Sequence, residues 1–278
     1  MGMADEPTKP SKVKSVVSGV LIPLGLIAPL IAMFIYLVSG SSCSPEDNPI
    51  IQNLRAAVDN PARSDDARAR DQGRLPVKVL AVYGVRPGMT VLEVGAGGGY
   101  YTEILSAALG PDGKVIAQNT PSDYYKNYVA STFEPLAERL ENVEPFVGAV
   151  NDLTLPDGSV DLVLVFLVYH HMYYTETEGE NLPIATQKSL ARIMAALKPG
   201  GILAVIEHAA PNGSSRSESA AIHRVDEATT VADITGAGFS LVDKSRVLQV
   251  KTDDRSVYWY DTPHQGKTWR LMHKYIKR

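Results

Sequence analysis

The sequence predicts an α/β protein, a doubly wound and mostly parallel seven-stranded sheet that ends in an antiparallel hairpin. Three observations carry this. Helical and strand patterns alternate from Lys78 onward, which implies crossover connections and parallel strands. The apolar run from Asp161 to Leu167 is uninterrupted, as in a central strand buried on both faces. The last two strand-like segments follow each other with no helix between them, which suggests an edge hairpin.

The elements follow in order. Pro76 opens a helix through Tyr83, closed by Gly84. Val85-Arg86-Pro87-Gly88 turns the chain into a first strand at 89–94, and a glycine-rich loop follows. Tyr101 to Ala108 reads as a helix stopped by Gly110-Pro111, with Lys114 to Gln118 as the second strand. Phe133 to Leu140 is the next helix and Val143 to Val150 the third strand. After the fourth strand, a helix from about Ile184 to Leu197 ends at Lys198-Pro199-Gly200-Gly201, and strand Ile202 to Ile206 follows at once. Val225 to Thr235 is a helix ending in Gly236-Ala237-Gly238. Phe239 to Val250 and Thr268 to Ile276 are the final strands. Upstream, Asp59 to Arg74 carries Arg63, Asp65, Asp66, Arg68, Arg70, Asp71 and Arg74, and reads mostly as a solvated helix face.

Residues 1–15 form a basic tail with Lys9, Lys12 and Lys14. The run 16–38 holds no charged residue and is long enough to cross a bilayer of about 30 Å, so it is expected to be a membrane anchor or signal segment. Lysines before it, against only Arg55 soon after, favour a cytoplasmic amino terminus and a domain on the extracytoplasmic side, in the periplasm. Residues 39–58 are expected to be a linker and 59–278 the folded domain. The single cysteine, Cys43, excludes an intrachain disulfide framework; Gly40, three residues before it, departs from the aliphatic residue of a lipoprotein signal. A hydrophobic fraction of 45% with 21% charge describes a globular chain, and a net charge of -4 argues against nucleic acid as a partner.

The chemistry concentrates at Glu93-Val94-Gly95-Ala96-Gly97-Gly98-Gly99-Tyr100-Tyr101-Thr102. Alternate glycines at a strand's carboxyl end let the backbone turn sharply and bring main-chain N–H groups close to a ligand. The spacing departs from that of dinucleotide-binding loops. It resembles motif I of the class I S-adenosylmethionine-dependent methyltransferases, Asp/Glu-x-Gly-x-Gly-x-Gly. Leu155-Pro156-Asp157-Gly158-Ser159-Val160-Asp161-Leu162-Val163 and Leu197-Lys198-Pro199-Gly200-Gly201-Ile202-Leu203 resemble the family's turns into its fourth and fifth strands. More narrowly, Gly97 to Thr102, Glu207-His208 and His223-Arg224-Val225-Asp226-Glu227-Ala228 resemble a little-characterised group of methyltransferases with amino-terminal signal or anchor segments.

The resemblance implies a Rossmann-like methyltransferase fold and S-adenosyl-L-methionine as cofactor. Gly95, Ala96, Gly97, Gly99 and Tyr101 would border the cofactor, with Glu93 near its methionyl ammonium. Asn151 or Asp152 would lie at the adenine. Where the family has an acid for the ribose hydroxyls, this chain has Gln118-Asn119, so Asn119, or Asp123, would have to serve.

Methyl transfer is an in-line displacement that needs alignment more than a covalent nucleophile, and a base only when the acceptor starts protonated. Acceptor residues belong at the carboxyl ends of strands four and five, which singles out His170, His171, Glu207 and His208, with His223 if the 209–222 loop folds over. The plainer alternatives are a Glu207 paired with Arg224 or Arg216 and a His208 that is a satisfied strand-end histidine. Adjacent histidines on a strand point apart, so no metal site is expected. Tyr124, Tyr125, Tyr128, Tyr173 and Tyr174, and Tyr258-Trp259-Tyr260, either wall an acceptor pocket or pack on the sheet edge.

The leading expectation is therefore a methyltransferase acting on a small-molecule or membrane-proximal acceptor. A non-catalytic ligand-binding protein on the same fold is the alternative. A nicotinamide oxidoreductase fits poorly, because its glycine spacing and Tyr-x-x-x-Lys pair are missing in a fitting place.

Overall fold

Seven strands form one sheet in the order β3-β2-β1-β4-β5-β7-β6. They are β1 Thr90–Val94, β2 Lys114–Asn119, β3 Val143–Val147, β4 Val160–Phe166, β5 Leu197–His208, β6 Ser240–Ser245 and β7 Arg270–Ile276. The first five pair in parallel, whereas β7 runs antiparallel to both β5 and β6. This computed structural model describes residues 48–173, 182–261 and 266–278. The basic tail, the apolar run 16–38, Cys43 and Tyr174 lie outside the described residues. Among the described residues no helix is long and apolar enough to cross a membrane.

The central strand shows how the pattern becomes a two-faced core. Along β4, Leu162, Leu164 and Phe166 join one apolar cluster while Val163 and Val165 join the other, because successive side chains leave a strand on opposite faces. The first face is covered by helices α1 (Pro49–Val58), α4 (Pro76–Tyr83) and α5 (Tyr100–Leu109), through Leu54, Leu80, Tyr83, Ile104 and Leu105. The second is covered by α7 (Ile184–Ala196) and α9 (Glu227–Gly236), through Leu190, Ile193 and Ile234. Between them in sequence lie the short helices α2 (Asp65–Ala69) and α3 (Asp71–Arg74), then α6 (Ala130–Glu138) and α8 (Arg216–Ala221). Strand β3 sits at the sheet edge, where Pro145, lacking an N–H, is tolerated.

Several boundaries differ from the sequence expectation. Residues 49–58, read as the end of a linker, form α1. Asn48 caps it by accepting the Ile50 N–H at 2.9 Å, and Leu54, Ala57 and Val58 are buried. The charged run is not all solvated. Arg63 is 2% exposed, grips Asp71 through both Nη atoms at 2.8 and 2.7 Å, and donates to Val58 O. Strand β3 stops at Val147. Strand β6 stops at Ser245 rather than continuing to Val250: a turn closes from Gln249 N–H to Arg246 O, and Leu248 O accepts from Arg270 N–H as β7 begins.

Candidate active site

The strand order reverses between β1 and β4, so their carboxyl ends diverge and leave a crevice where doubly wound folds bind ligands. The glycine loop lies on one side of it. Gly95, Gly97 and Gly99 all take left-handed φ, at 67°, 56° and 86°, a conformation that costs an L-residue with a side chain roughly 1–2 kcal/mol. The three differ in surroundings. A Cβ on Gly95 would meet Val168 Cγ1 at 2.6 Å, and one on Gly99 would meet Leu136 Cδ2 at 2.1 Å. A Cβ on Gly97 would meet nothing within 4 Å. Gly95 and Gly99 thus allow the loop to pack, while Gly97 keeps an approach to the loop open.

Two side chains at the end of β2 hold this loop. Gln118 Oε1 accepts the Gly95 N–H at 3.0 Å, and its Nε2 donates to Gly148 O at 2.7 Å. Asn119 Oδ1 accepts the Gly97 N–H at 2.8 Å, and its Nδ2 donates to Gly97 O at 3.2 Å. The main chain adds Ala96 N–H to Gln118 O at 2.8 Å. Both amides are buried. The amides that stand where the resemblance would place a ribose-binding acid are engaged with the loop itself. Asp123 is exposed and 3.7 Å from Lys126. Asn151 and Asp152 lie exposed on a turn after β3.

Glu93 lies beneath the loop, 5% exposed, in register with Ala117 and Leu164 and accepting from Thr102 Oγ1 at 2.6 Å. Burial pushes its carboxyl up to about 8, against the opposing pulls of the Thr102 bond and Arg74. Tyr101 is buried edge-on against Phe166 at 5.0 Å between ring centres, and burial pushes its hydroxyl up to about 12. Arg74 and Arg270 also lie on this side, neither singled out by the sequence. Arg74 sits 4.3 Å over the Tyr100 ring. Arg270, 6% exposed, donates from Nη2 to Gly73 O at 2.5 Å. A basic residue opening the last strand was the one available signal.

The other side of the crevice begins at Leu167, which follows β4 with φ 60°. Residues 169–173 then form a 3-10 turn instead of extended strand. The expectation that His170 and His171 diverge is therefore corrected: their ring centres lie 4.2 Å apart. His223, itself at φ 52°, brings a third ring to 5.2 Å from His170 and 5.5 Å from His171. Tyr258 stands edge-on to His223 at 4.8 Å.

Glu207 supports this group from the end of β5. Fully buried, its Oε2 accepts the His170 N–H at 3.1 Å and lies 2.9 Å from His170 Nδ1, while Oε1 accepts the His208 N–H at 2.8 Å. Burial pushes the carboxyl up, but His170, His208 and these bonds outweigh it and hold the group below its usual range. Glu207 does not pair with Arg224 or Arg216. Arg224 is buried and bidentate on Asp253 at 2.8 and 3.1 Å, and Arg216 pairs with Asp233.

His208 stands apart from the other histidines. It stacks on Trp259 at 4.8 Å and 10°, its Nδ1 is 2.8 Å from Thr268 Oγ1, and burial drives its imidazole down to about 3. It matches the plainer reading of a satisfied core histidine. His171 keeps an exposed surface, but its ring is packed closely enough that desolvation, then His170, holds it down to about 4. Of the aromatic candidates, Tyr258 borders the histidines, Tyr173 is buried, and Tyr124 and Tyr128 pair at 5.4 Å on the surface. A groove lined by Ser106, Arg139 and Asn142 lies at the amino ends of β2 and β3, remote from all of these.

Comparison with known proteins bears on the fold and on residues 92–205. Residues 92–205 match the family described as "Methyltransferase domain". A demethylmenaquinone methyltransferase of Staphylococcus aureus is 31% identical over 136 residues, 48% of this chain and 49% of its own. The chain therefore spans about half the length of the curated relatives it matches. Among solved structures, a SAM-dependent methyltransferase from Aquifex aeolicus aligns with a TM-score of 0.52 at 22% identity, covering 82% of this chain and 98% of that one. An arsenic(III) S-adenosylmethionine methyltransferase from Chlamydomonas reinhardtii aligns with a TM-score of 0.52 at 16% identity, covering 81% and 73%. Residues 92–205 are thus similar to a methyltransferase domain, and the chain shares its fold with the solved methyltransferase from Aquifex aeolicus.

Proposed function

We propose that the protein is an S-adenosylmethionine-dependent methyltransferase acting on a small-molecule acceptor held over the carboxyl ends of β4 and β5. The observation that carries this is Gly97: a left-handed glycine at the strand-order reversal, with open space where a Cβ would project. The donor set fits the cofactor in a second respect. Glu93 is buried, bonded to Thr102 and held partly protonated, so an ammonium brought near it would restore its charge. The fit is weakest at the ribose, because Gln118 and Asn119 are spent on the loop.

When bound, S-adenosylmethionine supplies an electrophilic sulfonium methyl. The chain's own work is to orient the acceptor and exclude water. Tyr258, His171 and His223 border the place where an acceptor would lie. His171 is neutral at neutral pH but, at about 4, weakly basic, which favours positioning over proton removal. Residues 16–38 are read as an anchor or uncleaved signal that keeps the domain at a membrane, facing out of the cytoplasm; a carboxyl-terminal reporter active only in the cytoplasm would reverse that orientation.

Calorimetric titration with S-adenosylmethionine and S-adenosylhomocysteine tests the proposal. Micromolar binding of both supports it and opens an acceptor screen. No binding at millimolar concentration would sink it in favour of a binding protein that has kept the fold, the reading that the engaged amides favour.

A further inference from the structure

We propose that His170, His171 and His223 together bind one divalent transition-metal ion, with Glu207 as the outer carboxylate that fixes the His170 ring. One nitrogen from each of the three imidazoles lies within 4.8 Å of the others. A tetrahedral ion at about 2.0–2.1 Å from each nitrogen needs them about 3.3 Å apart. Closing from 4.8 Å to that spacing asks each nitrogen to move by roughly an ångström.

Three further features point to a ligand. His170 is 1% exposed, yet neither of its ring nitrogens has an aligned hydrogen-bond partner, a costly arrangement for a ring that could have been apolar. Nδ1 lies 2.9 Å from Glu207 Oε2, close but not aligned for a hydrogen bond. Ligating histidines characteristically turn their second nitrogen to a carboxylate, so a small ring rotation onto Glu207 would leave Nε2 for the metal. Last, both segments that deliver the rings carry left-handed non-glycine residues, Leu167 at φ 60° and His223 at φ 52°. Such strain persists where surroundings impose it and concentrates at functional sites.

The donor set selects the ion. Among the described residues the donors are three imidazoles, a set that suits zinc, cobalt, nickel or copper over magnesium or calcium. Three ligands among the described residues leave a fourth position of a tetrahedral ion for another donor or water. Metal binding here does not depend on the methyl-transfer reading, and either can fail alone.

The test uses the full chain, purified in detergent without a histidine tag and stripped with chelator. It is titrated with zinc by calorimetry and with cobalt by visible absorption. One ion per chain, micromolar or tighter, with the intense absorption of tetrahedral cobalt, is expected. His171→Ala and His223→Ala should each weaken binding at least 100-fold, and Glu207→Gln by about 10- to 100-fold. His273→Gln, on β7 and bonded to Tyr275 and Glu227, should change affinity less than twofold. Because His171 is exposed, its alanine variant should fold, which circular dichroism checks. Absence of stoichiometric binding, or equal affinity in the wild type and His171→Ala, would overturn the site. Metal binding without S-adenosylmethionine binding would instead retain the site and discard the proposed function.

Discussion

Gly97→Ala separates ligand recognition from folding in a way that few substitutions in this loop can. The new Cβ meets no atom within 4 Å, so no packing is lost. The folded state bears only the left-handed strain at φ 56°, roughly 1–2 kcal/mol. For a chain of this size each kcal/mol moves Tm by about 2–4 °C, so the expected fall is about 2–8 °C. The methyl group projects into the approach to the loop. Overpacking a close contact typically costs about 1–3 kcal/mol, which corresponds to S-adenosylmethionine affinity about 5- to 150-fold weaker. The two bonds between Gly97 and Asn119 use main-chain atoms on the loop and survive the change. Calorimetry gives the affinity and differential scanning fluorimetry the stability. A folded Gly97→Ala that binds within twofold of wild type would refute the placement of the cofactor over this glycine. Gly99→Ala is the contrast: its Cβ would sit 2.1 Å from Leu136 Cδ2, so its loss should appear mainly in Tm.

Three other substitutions probe the supports. Asn119→Ala strips both bonds from Gly97 and leaves a loop N–H without its acceptor, so denaturant unfolding should show a loss of about 1–3 kcal/mol. S-adenosylmethionine affinity should also fall at least tenfold; unchanged affinity would show that the clamp does not shape the site. Glu93 has a folded pKa of about 8, raised above its ordinary value of 4.5. The folded chain therefore keeps a proton that the unfolded chain has lost, and this contribution to stability declines as pH rises from about 4.5 to about 8. Glu93→Gln should flatten that decline in Tm, and parallel pH profiles for the two proteins would contradict it. Asp253→Asn leaves the buried Arg224 charge without its bidentate partner and should cost about 3–5 kcal/mol by chemical denaturation. A loss below about 1 kcal/mol would mean that Ala209 O and Val257 O suffice to satisfy Arg224.

What could be read from the sequence is what the backbone dictates locally. The uninterrupted apolar run of β4 announced a doubly covered strand. Alternate glycines announced a left-handed loop, and Pro199-Gly200-Gly201 a turn into β5. What stayed hidden depends on residues far apart in sequence. Leu167-Val168-Tyr169 has the β-branched and aromatic character of a strand, yet Leu167 turns left-handed and the chain folds into the 3-10 turn that brings His170 and His171 together. His223 follows an ordinary helix end and carries no local mark of its positive φ. Arg63 looked like one more solvated charge because its partner, Asp71, is eight residues away across a helix break. In each case a side chain's role was set by a partner that the local pattern does not contain.

The amides at the end of β2 extend the same reasoning to the cofactor itself. From sequence, Gln118-Asn119 is a subtraction, two neutral groups where a carboxylate would take a diol. In the fold they serve a different role. Each amide accepts a loop N–H and donates to a main-chain carbonyl, Gln118 to Gly148 and Asn119 to Gly97. A carboxylate has no N–H to give. An acid at Asn119 could accept from Gly97 N–H but would set a negative charge 3.2 Å from Gly97 O, opening the loop that the amide closes. The choice of amide therefore exchanges strength of ribose recognition for rigidity of the glycine loop. Under the proposed function, recognition would then rest more heavily on Glu93 below the loop and on the open face of Gly97, and of the two only Gly97 can be changed with little effect on folding.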